Sequence, residues 1–224
     1  MIKNGTMIAL KDLPQYKRRW QKIARVLAKL FPHPAIALNF SNPWELLVAV
    51  QLSAQCTDKK VNEVTPALFK KYKTLDDYVK AGRTAAGVRA FEQMVRQTGF
   101  YRAKTRNILA AAKYIKENYH GRLPRTMEEM VKVPGVGRKS ANVILGNAYG
   151  VVEGIAVDTH VIRLSRAFGL TREKTPEKIE RDLMAIIPRK DWFVSTYRII
   201  EYGRTYCPAR PHKHELCPVE KVIQ

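Results

Sequence analysis

The chain has 224 residues, enough to bury a core in one large domain or two small ones, and its 46% hydrophobic content excludes a disordered protein. Lys and Arg number 40 against 20 for Asp and Glu, which leaves a formal net charge of +20. Such an excess indicates a polyanionic partner, with nucleic acid the first candidate and an anionic membrane the second. Since no window has the roughly 18 apolar residues of a membrane span, and the start lacks a signal peptide's apolar core, we expect a soluble, intracellular, cytoplasmic protein.

Helical periodicity predicts an all-α fold with about ten helices joined by short loops, and no segment shows the alternation of a β-strand. Residues 1–13 show no clear period, and we expect the start of the chain to be partly disordered. The first amphipathic helix begins at Pro14 and extends to about Phe31, with Lys and Arg on its outer face. The next helix, residues 43–50, is apolar nearly all round and is therefore predicted to be central.

Further helix starts are marked by residues whose side-chain oxygen can cap a helix N-terminus: Asn42, Thr57 or Asp58, Thr74, Thr84, Thr126, Asp158 and Thr175. Pro66 predicts a break in the third helix, because proline removes a backbone donor. A long basic helix is predicted after Phe100. The last helix is predicted from about Asp191 to Tyr202.

Residues 133–142 lie between two predicted helices and have the sequence Val-Pro-Gly-Val-Gly-Arg-Lys-Ser-Ala-Asn. Gly135 and Gly137 can adopt backbone angles closed to other residues and leave no side chain to block a ligand. The unpaired N–H groups and positive dipole end of the second helix attract phosphate. We interpret this segment as an anion-binding hairpin, and a tight interhelical turn without a ligand is the alternative.

Lys139 lies two residues beyond Gly137, in the first turn of the second helix. Burial, the helix dipole and the neighbouring Arg138 are expected to disfavour its charged form, which is how a lysine becomes a nucleophile. The alternative is a lysine that only pairs with a phosphate. Asp158 follows 19 residues later and is a typical N-cap, so it either caps its helix only or also serves as the acidic partner of Lys139.

Taken together, these motifs closely resemble the helix-hairpin-helix DNA glycosylases of the endonuclease III type. The hairpin is followed at the family's distance by Val-Asp-Thr-His, and residues 52–58 (Leu-Ser-Ala-Gln-Cys-Thr-Asp) and 99–104 (Gly-Phe-Tyr-Arg-Ala-Lys) match two more blocks in order. The resemblance covers roughly residues 20–217. It implies a two-domain fold with a DNA-binding cleft between the domains. Residues 36–151 would form a six-helix barrel that contains the hairpin, and residues 1–35 with 152–224 would form the second helical domain.

The resemblance also assigns the chemistry. Lys139 would attack C1′ of a damaged pyrimidine nucleotide flipped out of the duplex, while Asp158 would help to deprotonate Lys139 and stabilise positive charge on the sugar. The resulting Schiff base permits β-elimination. The implied protein is therefore a monomeric, bifunctional DNA N-glycosylase and apurinic/apyrimidinic (AP) lyase, which removes oxidised pyrimidines from duplex DNA in base excision repair. The alternatives are a mismatch thymine or uracil glycosylase and a catalytically inactive helix-hairpin-helix module.

Two residues are implied to act on the opened duplex. Gln55 would fill the gap left by the extruded nucleotide, and Phe100 would stack beside the orphaned base for roughly 1–3 kcal/mol. The alternatives are a solvent-facing loop amide for Gln55 and a core aromatic for Phe100, and His160 is expected to be structural. The remaining predicted DNA contacts are Gly135, Val136, Gly137 and Arg138 in the hairpin, with Arg210, His212 and Lys213 in a basic C-terminal loop.

Most members of this family hold a four-iron four-sulfur cluster with four cysteines spaced C-x6-C-x2-C-x5-C. The chain has three cysteines, too few and too scattered for a secreted disulfide framework, and Cys56 belongs to another motif. Aligned on Cys207, the pattern places His214, Cys217 and Ile223 in the other positions, and isoleucine cannot ligate iron. We therefore expect no iron–sulfur cluster and no other cofactor, and we assign no metal ligand. Metal binding near Cys207, His214 and Cys217 stays open.

Overall fold

A computed structural model describes residues 8, 9 and 11–223 of the chain. Within that part the chain forms twelve α-helices, three short 3-10 helices and no β-strand, which confirms the predicted all-α fold. The disorder expected at the start of the chain lies outside the described residues. Among the described helices, none is both long and apolar enough to cross a membrane.

The α-helices, numbered in chain order, are α1 (Leu13–Leu30), α2 (Pro43–Leu52), α3 (Asp58–Lys71), α4 (Leu75–Gly82), α5 (Ala85–Val95), α6 (Tyr101–Tyr119), α7 (Met127–Met130), α8 (Arg138–Tyr149), α9 (Thr159–Ala167), α10 (Pro176–Ile186), α11 (Trp192–Thr205) and α12 (Glu220–Ile223). The 3-10 helices are Arg96–Thr98, Arg189–Asp191 and His214–Leu216.

Side-chain caps begin most helices where they were predicted. Each of these caps accepts a hydrogen bond from the backbone N–H three residues further on: Asn42, Thr57, Thr74, Thr84, Thr126 and Asp158. Thr175 precedes α10 but makes no such bond, and Pro176 supplies the helical φ there instead. Local capping chemistry therefore sets the start of α7, which leads into the hairpin, and the start of α9 at Asp158.

Two sequence predictions about the helices are wrong: the break at Pro66 and the identity of the last helix. Helix α3 continues through Pro66, which lies on the exposed side, where water can satisfy the backbone group that proline leaves unpaired. The opposite face buries Val61, Val64 and Leu68, and this packing holds the helix together. The helix predicted from about Asp191 to Tyr202 corresponds to α11, but it is not the last helix, because the short α12 follows it.

The chain divides into two compact units, one formed by Ala37–Val151 and the other by Met1–Ile36 with Val152–Gln224. Helix α2 is the centre of the first unit: from Trp44 to Leu52 every side chain except that of Glu45 is buried, and it packs against α3, α6 and α8. A cluster of aromatic rings closes the core beside it: Trp44, Tyr72, Tyr78 and Phe91. Helix α8 therefore packs against the buried helix α2 at the centre of this unit.

The second unit joins both ends of the chain through one hydrophobic core. Helix α1 packs against α10, α11 and α12, and it contributes the buried side chains of Trp20, Ile23 and Leu27. The C-terminal helices complete this core with apolar side chains such as Leu164 and Ile199. The apolar stripe of α1 is therefore buried by a segment more than a hundred residues away in sequence.

Candidate active site

The predicted hairpin joins α7 to α8 through residues 131–137. A tight turn forms inside it, since the N–H of Val136 donates to the carbonyl of Val133 at 3.0 Å. The turn is attached to α2 by Gln51, whose Nε2 donates to the carbonyl of Pro134 at 2.8 Å. Because Gln51 is buried in α2, this bond positions the hairpin relative to the core of the first unit.

The two hairpin glycines have different roles. Gly135 has a φ of +76°, and a Cβ placed on it would lie 2.8 Å from Cβ of Asn107 and 3.1 Å from the amide of Gln51. Gly137 is the N-cap of α8 with an ordinary φ of −90°, and a Cβ there would meet nothing within 4 Å. The expectation of a special backbone angle is therefore correct for Gly135 and wrong for Gly137, whose open surroundings leave the start of α8 accessible.

This contrast predicts different outcomes for two matched substitutions. Gly135→Ala is expected to destabilise the protein by about 2 kcal/mol or more, because it combines a strained φ with displacement of Asn107 and Gln51. Gly137→Ala is expected to cost less than about 1 kcal/mol of stability, and its methyl group obstructs the helix N-terminus. Urea denaturation of both variants measures the difference, and equal losses of stability would contradict the assignment of Gly135 as the constrained position.

Lys139 occupies the first turn of α8 with an exposed side chain, and Arg138 beside it is also exposed. The expected burial of Lys139 is therefore wrong for the protein without DNA, because the first turn of α8 faces solvent. Val136 is the buried residue of the turn, with 6% of its surface exposed, so it can offer DNA only its backbone. The turn is anchored by Val136 and presents two cations at a helix N-terminus, which is a suitable site for phosphate.

Gln55 and Phe100 share an unusual backbone conformation. Three non-glycine residues have a positive φ among those the structure describes, and these are Gln55 at 52°, Phe100 at 46° and His120 at a helix C-terminus. A left-handed conformation costs a residue with a side chain on the order of 1–2 kcal/mol. Phe100 is 67% exposed, so the alternative of a core aromatic is wrong. Strained, exposed residues of this kind are typical of ligand-contacting positions.

A buried lysine holds the segments that carry these two residues. Lys104 donates from Nζ to the carbonyl of Leu52 at 2.7 Å and to that of Thr98 at 2.7 Å. The two acceptors precede Gln55 and Phe100 by three and two residues. Burial lowers the pKa of Lys104 from its ordinary value. The two carbonyl oxygens accept the hydrogen bonds that water would accept from an exposed ammonium group.

Gln51 and Lys104 were not predicted to be positioning residues. Gln51 is the polar residue in the otherwise apolar stretch from Leu46 to Leu52, and a buried amide needs a specific partner. Lys104 ended one of the recognised motifs, but nothing in its position along α6 indicated that it would be buried. The polar interruption of an apolar helix was the available signal for Gln51.

Asp158 lies in the other unit, at the start of α9. Its Oδ1 accepts a hydrogen bond from the N–H of Val161 at 2.8 Å, and the side chain is half-buried. Capping uses one carboxylate oxygen, so the capping and acidic roles are compatible. His160 packs against Gly203 of α11, where a Cβ would lie 2.6 Å from the His160 Nδ1. This close packing is consistent with a structural role for His160.

The C-terminal loop brings together four side chains that can bind a metal. The ligand atoms of Cys207, His212, His214 and Cys217 all lie within 4.8 Å of one another. Ile223 is buried in the hydrophobic core of its unit, so the fourth position of the family's cysteine pattern holds an apolar side chain. The residues present therefore do not fit a four-iron four-sulfur cluster, which needs four thiolates. His212 was predicted to lie in a basic loop, and its place in this group was not predicted.

Comparison with known proteins identifies the same family that the sequence motifs resemble. The family model "HhH-GPD superfamily base excision DNA repair protein" matches residues 48–189. The chain is 44% identical over 201 residues to endonuclease III of Synechocystis sp., and the match covers 90% of each protein.

Solved structures are similar as well. A non-covalent endonuclease III–DNA complex has a TM-score of 0.86 and 41% identity, over 92% of this chain and 94% of that one. A trapped endonuclease III–DNA covalent intermediate has a TM-score of 0.85 and 41% identity, with the same coverage.

Proposed function

The chain belongs to the HhH-GPD superfamily of base excision DNA repair proteins, and we propose that Lys139 is its catalytic nucleophile. It is a bifunctional base excision glycosylase and AP lyase of the endonuclease III type that acts on DNA. The observation that carries the assignment of Lys139 is its exposed position in the first turn of α8, two residues after the open Gly137. A phosphate bound at this N-terminus would bring a neighbouring sugar within reach of the amine.

The proposed reaction begins when the amine nitrogen of Lys139 bonds to C1′ and the bond from C1′ to the base breaks. The departing base carries away the bonding electrons and is protonated. Opening of the sugar ring then gives a Schiff base between Lys139 and C1′. This imine acidifies the C2′ proton, and loss of that proton expels the 3′ oxygen with its phosphate. The strand is thus cut on the 3′ side of the lesion, and hydrolysis of the Schiff base releases the enzyme.

Lys139 must be a free amine in the first step, although its side chain is exposed in the chain alone. Asp158 is proposed to help to remove the proton from Lys139 once the damaged nucleotide is bound.

Asp158 is proposed as the acidic residue of the reaction. As C1′ loses the base, positive charge develops on the sugar, and a fixed carboxylate stabilises it. The cap to Val161 holds the Asp158 side chain in one orientation, so little reorganisation is needed when that charge develops. Its capping role on α9 therefore supports the catalytic one.

Gln55 is proposed to fill the gap that the damaged nucleotide leaves in the duplex, and Phe100 is proposed to stack beside the base that has lost its partner. Both are exposed, and both are held in a left-handed conformation on segments tied together by Lys104. Rigid mounting reduces the entropy that each side chain loses on insertion. The aromatic ring of Phe100 can stack on the base left without a partner.

We further propose oxidised pyrimidines in duplex DNA as substrates, an intracellular location because chromosomal DNA is the target, and the absence of an iron–sulfur cluster. The units Ala37–Val151 and Met1–Ile36 with Val152–Gln224 are proposed to be the six-helix barrel and the second domain of this family. The hairpin and Lys139 belong to the first of them. Asp158 belongs to the second.

Borohydride trapping against a panel of duplexes tests the substrate. Each duplex carries one lesion: an oxidised pyrimidine, an abasic site, thymine or uracil opposite guanine, or an undamaged base pair. We expect a reduced covalent complex and strand cleavage with the oxidised pyrimidine and the abasic site. Selective trapping of the mismatches would replace the proposed substrate, and DNA binding without any covalent complex would indicate an inactive module.

A further inference from the structure

The loop between α11 and α12 contains a group of side chains that the glycosylase and lyase reactions do not use. Cys207 follows α11 and Cys217 precedes α12, and both thiols are buried. His212 and His214 lie between them, with ring centroids 4.2 Å apart. All four ligand atoms fall within 4.8 Å of one another, and Sγ of Cys207 lies 3.8 Å from Nδ1 of His214. Two sulfurs and two imidazole nitrogens therefore face a common centre.

The tautomer of His212 can be derived from its surroundings. Nδ1 of His212 lies 2.9 Å from the carbonyl of Arg210, which can only accept, so Nδ1 carries the proton and donates it. Nε2 consequently has a free lone pair. This nitrogen is buried and has no hydrogen-bond partner in the described structure. A metal-binding histidine typically donates its other ring N–H to a backbone carbonyl, which is the arrangement here.

Groups around the two thiols also suit metal binding. Arg163 donates to the carbonyl of Cys207 at 2.6 Å, and its other terminal nitrogen lies 3.6 Å from Sγ of the same residue. The guanidinium group therefore contacts both the carbonyl oxygen and the sulfur of Cys207. Sγ of Cys217 lies 3.1 Å from the carbonyl of Tyr206, which holds this sulfur in one orientation. Each sulfur atom thus has a neighbouring group that positions it before any metal arrives: the Arg163 side chain for Cys207 and the Tyr206 carbonyl for Cys217.

We propose that Cys207, His212, His214 and Cys217 bind one Zn²⁺ ion in a tetrahedral site. Zinc has bond lengths of about 2.3 Å to sulfur and about 2.0 Å to nitrogen, which places tetrahedral ligand atoms about 3.3–3.8 Å apart. Ligand atoms that are up to 4.8 Å apart need to approach one another by about an ångström, whereas Sγ of Cys207 and Nδ1 of His214 are already 3.8 Å apart. Binding converts the cysteine thiols to thiolates, releases their protons to solvent and involves no change of oxidation state.

The composition of the site selects zinc over an iron–sulfur cluster. A four-iron cluster needs four thiolates, and the loop offers two. A two-iron cluster held by two cysteines and two histidines attaches each pair to a different iron, which separates the sulfurs from the nitrogens. Mutual proximity of all four atoms instead fits a single ion, and an S₂N₂ tetrahedron is typical of structural zinc.

The zinc would add a further constraint to a loop that is already held by hydrogen bonds to Cys207 and from Cys217. The exposed Arg210 and Lys213 lie between the ligands, so metal binding would restrict two cations that are candidates for contact with DNA phosphate. The site lies next to the core that α12 completes through Ile223. Zinc would thus stabilise the C-terminal end of this unit, and the proposal is independent of the assignment of Lys139.

The test uses the full chain, stripped of metal with a chelator under reducing conditions and titrated with Zn²⁺ or Co²⁺. We expect one equivalent to bind and to raise the melting temperature. We also expect the cobalt form to show the visible bands of tetrahedral coordination and near-ultraviolet thiolate charge transfer. His212→Gln is expected to weaken zinc binding by about 100-fold or more, since even changes beyond the direct ligands cost 10–100-fold. The matched control is His33→Gln, because His33 is exposed and far in sequence from the four ligands. This variant should bind zinc normally.

Cys217→Ser provides a second variant, in which the cobalt charge-transfer intensity should fall while the protein remains folded by circular dichroism. If Cys217→Ser does not fold, the titration of His212→Gln still decides the matter. Failure of the unaltered chain to bind zinc at micromolar concentration would overturn the proposal. So would normal binding by His212→Gln, or a brown protein with several irons and sulfide per chain.

Discussion

Replacement of Lys139 by glutamine is expected to abolish both borohydride trapping and strand cleavage, with a loss of at least about 10³-fold in rate. Glutamine keeps a polar side chain of similar length but has no amine that could form a Schiff base. Affinity for lesion-containing duplex should change by less than about ten-fold, because a single charge is lost from 40 Lys and Arg residues. Single-turnover cleavage, trapping and equilibrium binding on the same duplex measure the three quantities.

Lys132→Gln is the matched control for the loss of charge. Lys132 is also an exposed lysine of the hairpin, and its ammonium group pairs with Glu128 at 3.3 Å. An exposed ion pair contributes at most about 1 kcal/mol, so this variant should fold, bind DNA and form the trapped complex. Equal loss of trapping in both variants would mean that hairpin charge, rather than the amine of Lys139, limits the reaction.

Asp158→Asn is expected to lower the glycosylase rate by about 10²–10⁴-fold, because a neutral amide cannot stabilise positive charge on the sugar. Its effect on stability should be small. Asparagine caps helices about as well as aspartate, and its Oδ1 can still accept the hydrogen bond from Val161. The rate is measured by base release at saturating enzyme and stability by urea denaturation.

Asp158→Ala separates the two roles of this residue. It removes the cap as well as the carboxylate, so it should lose about 1 kcal/mol of stability in addition to activity. If Asp158→Asn cleaved at the normal rate while Asp158→Ala was impaired, Asp158 would be a cap without a part in the chemistry.

Features that depend on neighbouring residues were predictable from the sequence. Six side-chain caps, including Asn42 and Asp158, were identified because the donor lies three residues from the acceptor. The hairpin was identified for the same reason, since its turn is closed within the span from Val133 to Val136. Pro66 shows the limit of this reasoning, because the packing of the opposite face of α3 overrides the local effect of proline.

Features that depend on distant contacts were not predictable. Gln51 bonds to a carbonyl 83 residues away, and Lys104 bonds to one 52 residues away, so the sequence does not show the bonding partner of either side chain. Gly135 and Gly137 were both expected to have a special backbone angle because both are glycines, although only Gly135 has a positive φ and is crowded by Asn107. Both histidines of the C-terminal loop are visible in the sequence, but the four-cysteine spacing includes only His214, and the folding of the loop brings His212 to the same group.

The most direct test of the account is to identify the residue that carries the trapped DNA. The unaltered chain is reacted with a duplex containing one abasic site, reduced with borohydride and digested with nuclease and protease, and the modified peptide is sequenced by mass spectrometry. The account predicts that the sugar remnant is attached to Nζ of Lys139. Attachment to any other amine, with Lys139 unmodified, would contradict it.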